Sequence, residues 1–61
     1  MKVGDLVSYY DDGVGPFGVV VESAPYYDEL LGRNFPGAKI LMGDRVLLYR
    51  VSDLWVLYEN R

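Results

Sequence analysis

Short apolar runs separated by turn residues make up most of this chain. Two of these runs, residues 38–42 and 45–50, meet at the dipeptide Gly43-Asp44, which suits the two-residue loop of a β-hairpin with a primed turn. A third run, at residues 55–58, follows the short polar break at 51–54. That break has the length of a single 3₁₀ turn. The pattern therefore predicts three consecutive strands, with a 3₁₀ turn before the last one.

The first third of the chain predicts two more strands. Residues 2–10 favour a strand with Val3, Val7 and Tyr9 on one face, and residues 17–22 form a β-branched run. We expect this second strand to be buried on both sides, with Gly18 marking a bulge or a close approach by another backbone. Residues 11–16, DDGVGP, have the composition of a turn.

Residues 23–37 interrupt the pattern of strands. They contain two of the three prolines and three aromatic residues. This composition predicts a long irregular loop, with one helical turn at residues 27–31. Long loops in compact domains are often binding surfaces. The sequence as a whole predicts an all-β fold of five strands in a single domain spanning residues 1–61.

Three segments carry a resemblance to a known family. The opening KVGDLV, the second strand GPFGVVVE and the closing SDLWVL together resemble the small SH3-like, or KOW-like, barrels encoded by bacteriophages. The resemblance implies a five-stranded barrel, and such barrels serve as peptide binders, nucleic-acid-associated modules or structural pieces. At two places this sequence differs from the family pattern, and each difference argues against one of these roles. Asp11 and Asp12 stand where an RNA-binding KOW segment carries basic residues, and the tryptophan lies in the fifth strand, not at the start of the third as in signalling SH3 domains.

Composition excludes several kinds of site. The chain has 61 residues and contains neither cysteine nor histidine. Disulfides, thiolate or imidazole zinc sites, haem ligation and Cys-His or Ser-His nucleophiles are therefore excluded. A domain of this length buries only about 60% of the surface that its unfolded chain exposes. We expect its stability to depend on packing or on association with a partner.

Charge and hydropathy limit the environment of the chain. The formal net charge of −3 disfavours nucleic-acid binding through phosphates. Lys39, Arg45 and Arg50 could form a local basic patch, but three such charges on neighbouring strands also suit an ordinary solvated face. No apolar run approaches the roughly 18 residues of a membrane span, and the start lacks the apolar core of a signal peptide. We expect a cytoplasmic protein, in the host cytoplasm if it is viral, or a virion component.

The sequence predicts no catalytic site, metal site or cofactor. Ser8, Ser23 and Ser52 have no histidine base. The paired carboxylates of the DDG segment could suggest a metal site, but they lack the further spaced oxygens of a calcium loop, so a turn is the better interpretation. The glycine-rich GVGPFG precedes a strand and has no following lysine, which argues against a phosphate cradle.

Aromatic residues supply the candidate contact surface. Alternation along the last strand points Leu54 and Val56 inward, and Trp55 and Leu57 outward. Trp55 is then either a partner-binding anchor or a ring packed under the 23–37 loop against Phe35 or Tyr26. Within that loop, Tyr26 and Tyr27 are expected to be exposed.

Our interpretation of the sequence is a non-enzymatic protein-interaction module, with a host protein or a second copy as its partner. The aromatic contacts would be made by residues 23–37 and the last strand, with arginines at the rim. The alternatives are a structural component of a virion or other assembly and, more weakly, a nucleic-acid-associated module. The expected contact residues are Trp55, Tyr26, Tyr27, Phe35, Arg33 and Arg45.

Overall fold

The structure is a computed structural model, and it describes residues 1–9 and 16–60. It confirms an all-β fold, with five antiparallel strands in one sheet and a single 3₁₀ turn among the described residues. Apart from Pro16, the predicted turn at residues 11–16 lies outside the described part. The strands are β1 (Leu6–Ser8), β2 (Phe17–Asp28), β3 (Arg33–Met42), β4 (Arg45–Arg50) and β5 (Trp55–Tyr58), and the 3₁₀ turn is Val51–Asp53.

The sheet has the order β4-β3-β2-β1-β5. Strands β1 to β4 follow one another as a meander, and the 3₁₀ turn carries the chain to the far side of β1, where β5 pairs with it. This confirms the predicted turn before the last strand. Within the described residues, β4 and β5 are the two edge strands.

The hairpin between β3 and β4 has the predicted two-residue loop. Met42 pairs with Arg45, and Gly43 has a φ of +62°. A positive φ at the first central residue alone is characteristic of a type II′ turn, which matches the twist of the flanking strands. Glycine adopts this conformation without steric cost, so the prediction from the Gly43-Asp44 pair is confirmed.

The prediction of an irregular loop at residues 23–37 is wrong, because two paired strands occupy most of this segment. Strand β2 continues to Asp28, β3 begins at Arg33, and Pro25 lies opposite Pro36 in the ladder between them. Two prolines can face each other in an antiparallel pair because a non-hydrogen-bonded position needs no donor. From this pair to the end of the hairpin, neither β2 nor β3 has a neighbouring strand on its outer side. Strand β4 pairs with β3 only as far as Gly37, and β1 pairs only with residues 17–19 of β2. The missing proline donors therefore leave no ladder bond unmade.

Strand β2 is buried on one side only, which corrects the expectation of burial on both. Gly18 and Val20 are buried, whereas Val19 and Val21 are exposed. The expected close approach by another backbone at Gly18 is confirmed, because a Cβ there would lie 2.9 Å from the backbone oxygen of Leu41, and it would also overlap the Cγ2 atom of Ile40. The bulge lies further along, where the register shifts between Val20 and Glu22.

The core is small. The sheet presents the buried side chains on its inner face, and the 3₁₀ turn with the residue after it covers part of that face. Such a core rarely supplies more than about 3 to 5 kcal/mol of stability. Its buried members are Val7, Val20, Ala38, Ile40 and Leu54, with Met42, Tyr49 and Val51 packed against them.

The first strand is shorter than the predicted 2–10, because residues 2–5 form a turn ahead of β1. The Asp5 backbone N–H donates to the Lys2 carbonyl at 3.1 Å. The buried Asp5 carboxylate accepts hydrogen bonds from the backbone N–H groups of Asn60 and Lys2, each at 2.9 Å. These donors hold the pKa of Asp5 below its ordinary value. Asp5 thus ties the segment before β1 to the segment after β5, and of the three residues expected on one face only Val7 is buried.

Candidate interaction site on the hairpin arm

A two-stranded arm extends beyond the rest of the sheet. It comprises the end of β2 and the beginning of β3, with Tyr26 opposite Phe35 and Asp28 opposite Arg33. Residues two apart on a strand share a face, and directly opposed residues share it too. Asp28, Tyr26, Arg33 and Phe35 therefore lie together on one face of the arm.

The turn at the end of the arm is held by Asp28. Its Oδ1 atom accepts the backbone N–H groups of Leu30 at 2.9 Å and Leu31 at 3.0 Å. Its carbonyl accepts the N–H of Gly32 at 2.8 Å. Asp28 thus caps a turn of helical type, close to the helical turn predicted at 27–31. The side chain of Leu30 is 98% exposed and that of Leu31 is 59% exposed.

Phe35 is the centre of a cluster with two arginines. The guanidinium carbons of Arg33 and Arg50 lie over its ring, each 4.8 Å from the ring centroid. Such contacts stabilise by about 0.5 to 1 kcal/mol each at exposed sites, and by more where water is excluded. Arg33 comes from the same strand as Phe35, whereas Arg50 reaches it from the end of β4. The cluster therefore ties the arm to the sheet.

Ion pairs hold Arg50 in this position. Its Nη1 atom lies 3.5 Å from Oδ2 of Asp28, and its Nε atom lies 3.6 Å from Oδ2 of Asp53 in the 3₁₀ turn. The second distance is too long for a hydrogen bond. Among the described residues, the buried Nε atom accordingly has no hydrogen-bond partner. Arg50 connects the tip of the arm, β4 and the 3₁₀ turn through one side chain.

An open groove of about 620 Å³ runs beside the arm. Its lining is mostly apolar and contains no charged side chain, and the Phe35, Pro36 and Val51 surfaces continue into a smaller hollow bordered by Arg50. Volumes of this size are typical of sites that hold a few side chains or a small ligand. The lining includes Met1, Ser23, Pro25, Phe35, Pro36 and Val51.

The expected contact residues fall into two groups. Phe35, Arg33 and Tyr26 lie together on the arm, with Tyr26 half-buried, contrary to the expectation that it is exposed. Tyr27 is exposed, as predicted. Arg45 lies at the start of β4, opposite Met42. The structure therefore brings three of the six expected residues to one face of the arm.

Trp55 lies apart from this group. It pairs with Ser8 of β1, which on its other side pairs with Phe17 of β2. Trp55 is 45% exposed, as the outward orientation predicts. Leu54 is buried as expected, but Val56 is 40% exposed, so inward and outward residues of β5 do not differ in exposure. The reason is that β5 is a short edge strand and covers little of the core.

The three cations considered as a basic patch are not gathered into one. Lys39 pairs with Glu22 at 2.8 Å, and this hydrogen bond from Lys39 lowers the pKa of the Glu22 carboxyl. Arg50 is paired with two carboxylates. Arg45 is five residues from Arg50 on β4, so strand alternation points it to the opposite face.

An apolar row crosses the whole sheet on the face away from the core. The register aligns one residue from each strand, and all but the half-buried Leu6 are exposed. Sequence reasoning missed this row, because it depends on pairing between distant strands. From β4 to β5 its members are Val46, Leu41, Val19, Leu6 and Tyr58.

The described residues contain no group of three or more carboxylate, histidine or cysteine side chains that could hold a metal ion. In the same part of the chain, no helix is long and apolar enough to cross a membrane.

No known protein family, curated protein or solved structure matches the chain. The features of the molecule that bear on its function are therefore the arm, the groove and the exposed apolar surface.

Proposed function

We propose that the chain is a non-enzymatic protein-interaction module, which binds a host protein or a second copy through its hairpin arm. One observation carries this proposal: the described residues include seventeen large apolar side chains with substantial exposure, whereas only four large apolar side chains and one alanine are buried. Scattered apolar residues are normal on a surface, but contiguous ones mark sites of association. In a chain without disulfides, association is also a means of stabilising a small core.

The groove and the Phe35 cluster form the central contact. An extended segment of a partner could place apolar side chains against Pro25, Pro36 and Val51. Arg50, which borders the adjoining hollow, and Arg33, which lies over the Phe35 ring, would then select acidic or carbonyl groups. Such an arrangement combines an apolar centre with a polar rim, as protein interfaces generally do.

We also propose that the sheet belongs to a small SH3-like barrel of the bacteriophage type. Two features support this proposal: the meander of four strands with β5 placed beside β1, and the 3₁₀ turn that joins β4 to β5. In such a barrel the apolar row would lie on the outside. Fold alone does not select the partner, so the function depends on the site.

The experiment is a cross-linking pull-down from cells of the source organism, infected if the protein is viral. The bait variants are Phe35→Ala and Trp55→Ala, with Val3→Ser as a matched control at an exposed apolar residue outside the groove. A captured protein that is lost with Phe35→Ala and retained with Val3→Ser supports the proposal. Equal capture by all variants would refute the assignment of the arm as the contact surface.

A structural role in a virion or other assembly is the second candidate. The observation that favours it is the apolar row, which spans all five strands and is broader than a peptide site requires. The purified chain would then form large oligomers at modest concentration, and the pull-down would recover capsid or tail components. An interaction module would instead remain a monomer or small oligomer.

A further inference from the structure

The beginning of the chain forms one wall of the groove. Met1 lines the groove together with Pro25 and Pro36 of the arm and Val51 of the 3₁₀ turn. The two prolines are held in the sheet, and Val51 packs against the core. Met1 precedes β1 and is 43% exposed. The shape of the groove on this side therefore depends on the contacts that hold residues 1–3.

Backbone hydrogen bonds anchor the segment that follows Met1. The Asp5 N–H donates to the Lys2 carbonyl, and Gly4, the third residue of this turn, has a φ of +95°. A positive φ at this position is characteristic of a type II turn. The Gly4 N–H donates to the Val20 carbonyl at 2.8 Å, and the Val20 N–H donates to the Asp5 carbonyl at 3.0 Å. Gly4 and Asp5 are thus fixed to β2 by their backbones.

The Asp5 carboxylate extends this anchoring in two directions. Its Oδ2 atom accepts the backbone N–H of Lys2, and its Oδ1 atom accepts the backbone N–H of Asn60, which is 55 residues away in the chain. Asp5 is buried, and hydrogen bonds away from water are electrostatically stronger than those in water. The Asn60 side chain lies so close to Gly4 that a Cβ there would overlap its Nδ2 atom. The segment after β5 is therefore packed on the segment before β1.

We propose that residues 1–5 form a strap that shapes the groove, and that Asp5 positions the strap by holding Lys2 and Asn60 on its two carboxylate oxygens. The inference rests on the proposed function, because it names the residue that prepares the contact surface. Asp5 does not line the groove and acts on it through Lys2 and Met1. A wall that is ordered in advance lowers the entropic cost of binding, since a partner need not immobilise it.

The strap also couples the groove to the end of β5. One carboxylate serves both donors, so a displacement of Asn60 moves the group that holds Lys2. A contact that draws the segment after β5 away from the sheet would therefore release the wall formed by Met1. Conversely, a partner that binds the ordered wall stabilises the contact between Asp5 and Asn60, because coupling between two sites is reciprocal.

Methyl NMR on the purified chain tests the strap, because Met1 and Met42 are its two methionines. Lys2→Pro removes the backbone N–H that Asp5 accepts, and Lys2→Ala is the matched control, because it also removes the lysine side chain but keeps the N–H. In Lys2→Pro, the Met1 methyl signal should move at least half of the way to its position in the same variant unfolded in urea. Met42 packs against the core, so its unchanged signal reports an intact fold.

Asp5→Asn gives a second test of the same contact. An asparagine side chain offers one acceptor oxygen in place of two, so the Met1 methyl signal should again move toward its unfolded position. Asp44→Asn is the control, because it makes the same change of charge at an exposed aspartate in the turn between β3 and β4. Circular dichroism confirms the fold of each variant.

Amide hydrogen exchange measures the coupling between the two ends of the strap. The Asn60 amide should exchange about fivefold faster or more in Lys2→Pro than in Lys2→Ala, because the carboxylate that holds it is less well fixed. The Val20 amide donates to the backbone carbonyl of Asp5 and should keep its rate within about twofold. Equal exchange of the Asn60 amide in the two Lys2 variants would refute the coupling.

Two results would overturn the strap itself. One is a Met1 methyl signal that already lies at its unfolded position in the original chain, and the other is a signal that neither Lys2→Pro nor Asp5→Asn moves. In either case, a pull-down that still depends on Phe35 leaves the interaction module standing. If the NMR results agree with the strap but no captured protein depends on Phe35, the proposed function fails and the strap stands.

Discussion

The substitution Gly18→Ala adds a single methyl group where the core has no room for it. The new Cβ would overlap Cγ2 of Ile40 and lie 2.8 Å from Cγ of Met42 and 2.9 Å from the backbone oxygen of Leu41. Met42 can move, but Ile40 is completely buried and Leu41 is fixed in the ladders to Val19 and Val46. The methyl group can therefore be accommodated only if β2 and β3 separate locally.

Two opposing terms set the size of the effect. Overpacking a well-packed core costs about 1 to 3 kcal/mol, and replacing glycine by alanine returns about 0.4 to 1 kcal/mol by restricting the unfolded chain. We expect a net loss of about 1 to 2 kcal/mol, which is a large part of the roughly 3 to 5 kcal/mol that so small a core supplies. For a domain of this length, that loss lowers Tm by about 5 to 15 °C.

Urea and thermal unfolding, followed by circular dichroism, measure this loss. Leu30→Ala is the control, because the side chain of Leu30 is 98% exposed and takes no part in the core. Its stability should stay within about 0.5 kcal/mol of the original chain. If Gly18→Ala is as stable as this control, the packing of Ile40 against Gly18 is incorrect.

Three further predictions concern acid stability, β5 and the arm. The lowered pKa of Asp5 contributes stability that is complete above about pH 4 and is lost as the pH falls through its folded-state value; urea midpoints measured from pH 7 to 2 should show this loss, and Asp5→Asn should make it smaller, leaving the part that comes from Glu22, whose pKa is also lowered. Trp55→Ala should lower stability by about 2 kcal/mol in urea unfolding, because half the ring is already in water, and should leave a folded chain with weaker association; complete unfolding would place the ring in the core. Phe35→Leu keeps the apolar volume but should lose about 1 to 2 kcal/mol, and a double-mutant cycle with Arg33→Gln that shows no coupling would contradict the contact.

The parts of the fold that could be predicted from the sequence depend on residues close together in the chain. The β3–β4 hairpin follows from Gly43 and Asp44 between two apolar runs. The 3₁₀ turn follows from the short polar break, and Leu54 is buried directly after it. Each of these features is determined by turn chemistry or by a single change in polarity, which a local pattern shows directly.

The hairpin arm could not be predicted in the same way, because its decisive interaction joins distant residues. Pro25 and Pro36 each argue against a strand when considered alone, and they are compatible with one only when they oppose each other. Arg50 is a similar case. Its sequence neighbours suggest a solvated charge flanking a strand, whereas its contacts with Asp28 and Phe35 depend on the register of three strands.

The charges at the two ends of the edge strand β4 oppose its pairing with a second copy of the chain. In a full-register antiparallel pairing of β4 with the same strand of a second copy, Arg45 of each chain would face Arg50 of the other. Like charges directly opposite destabilise such a pair, and natural sheets use charges in this way to protect their edges. Continued growth of the sheet through β4 is therefore disfavoured, although much of the apolar surface of this chain is exposed.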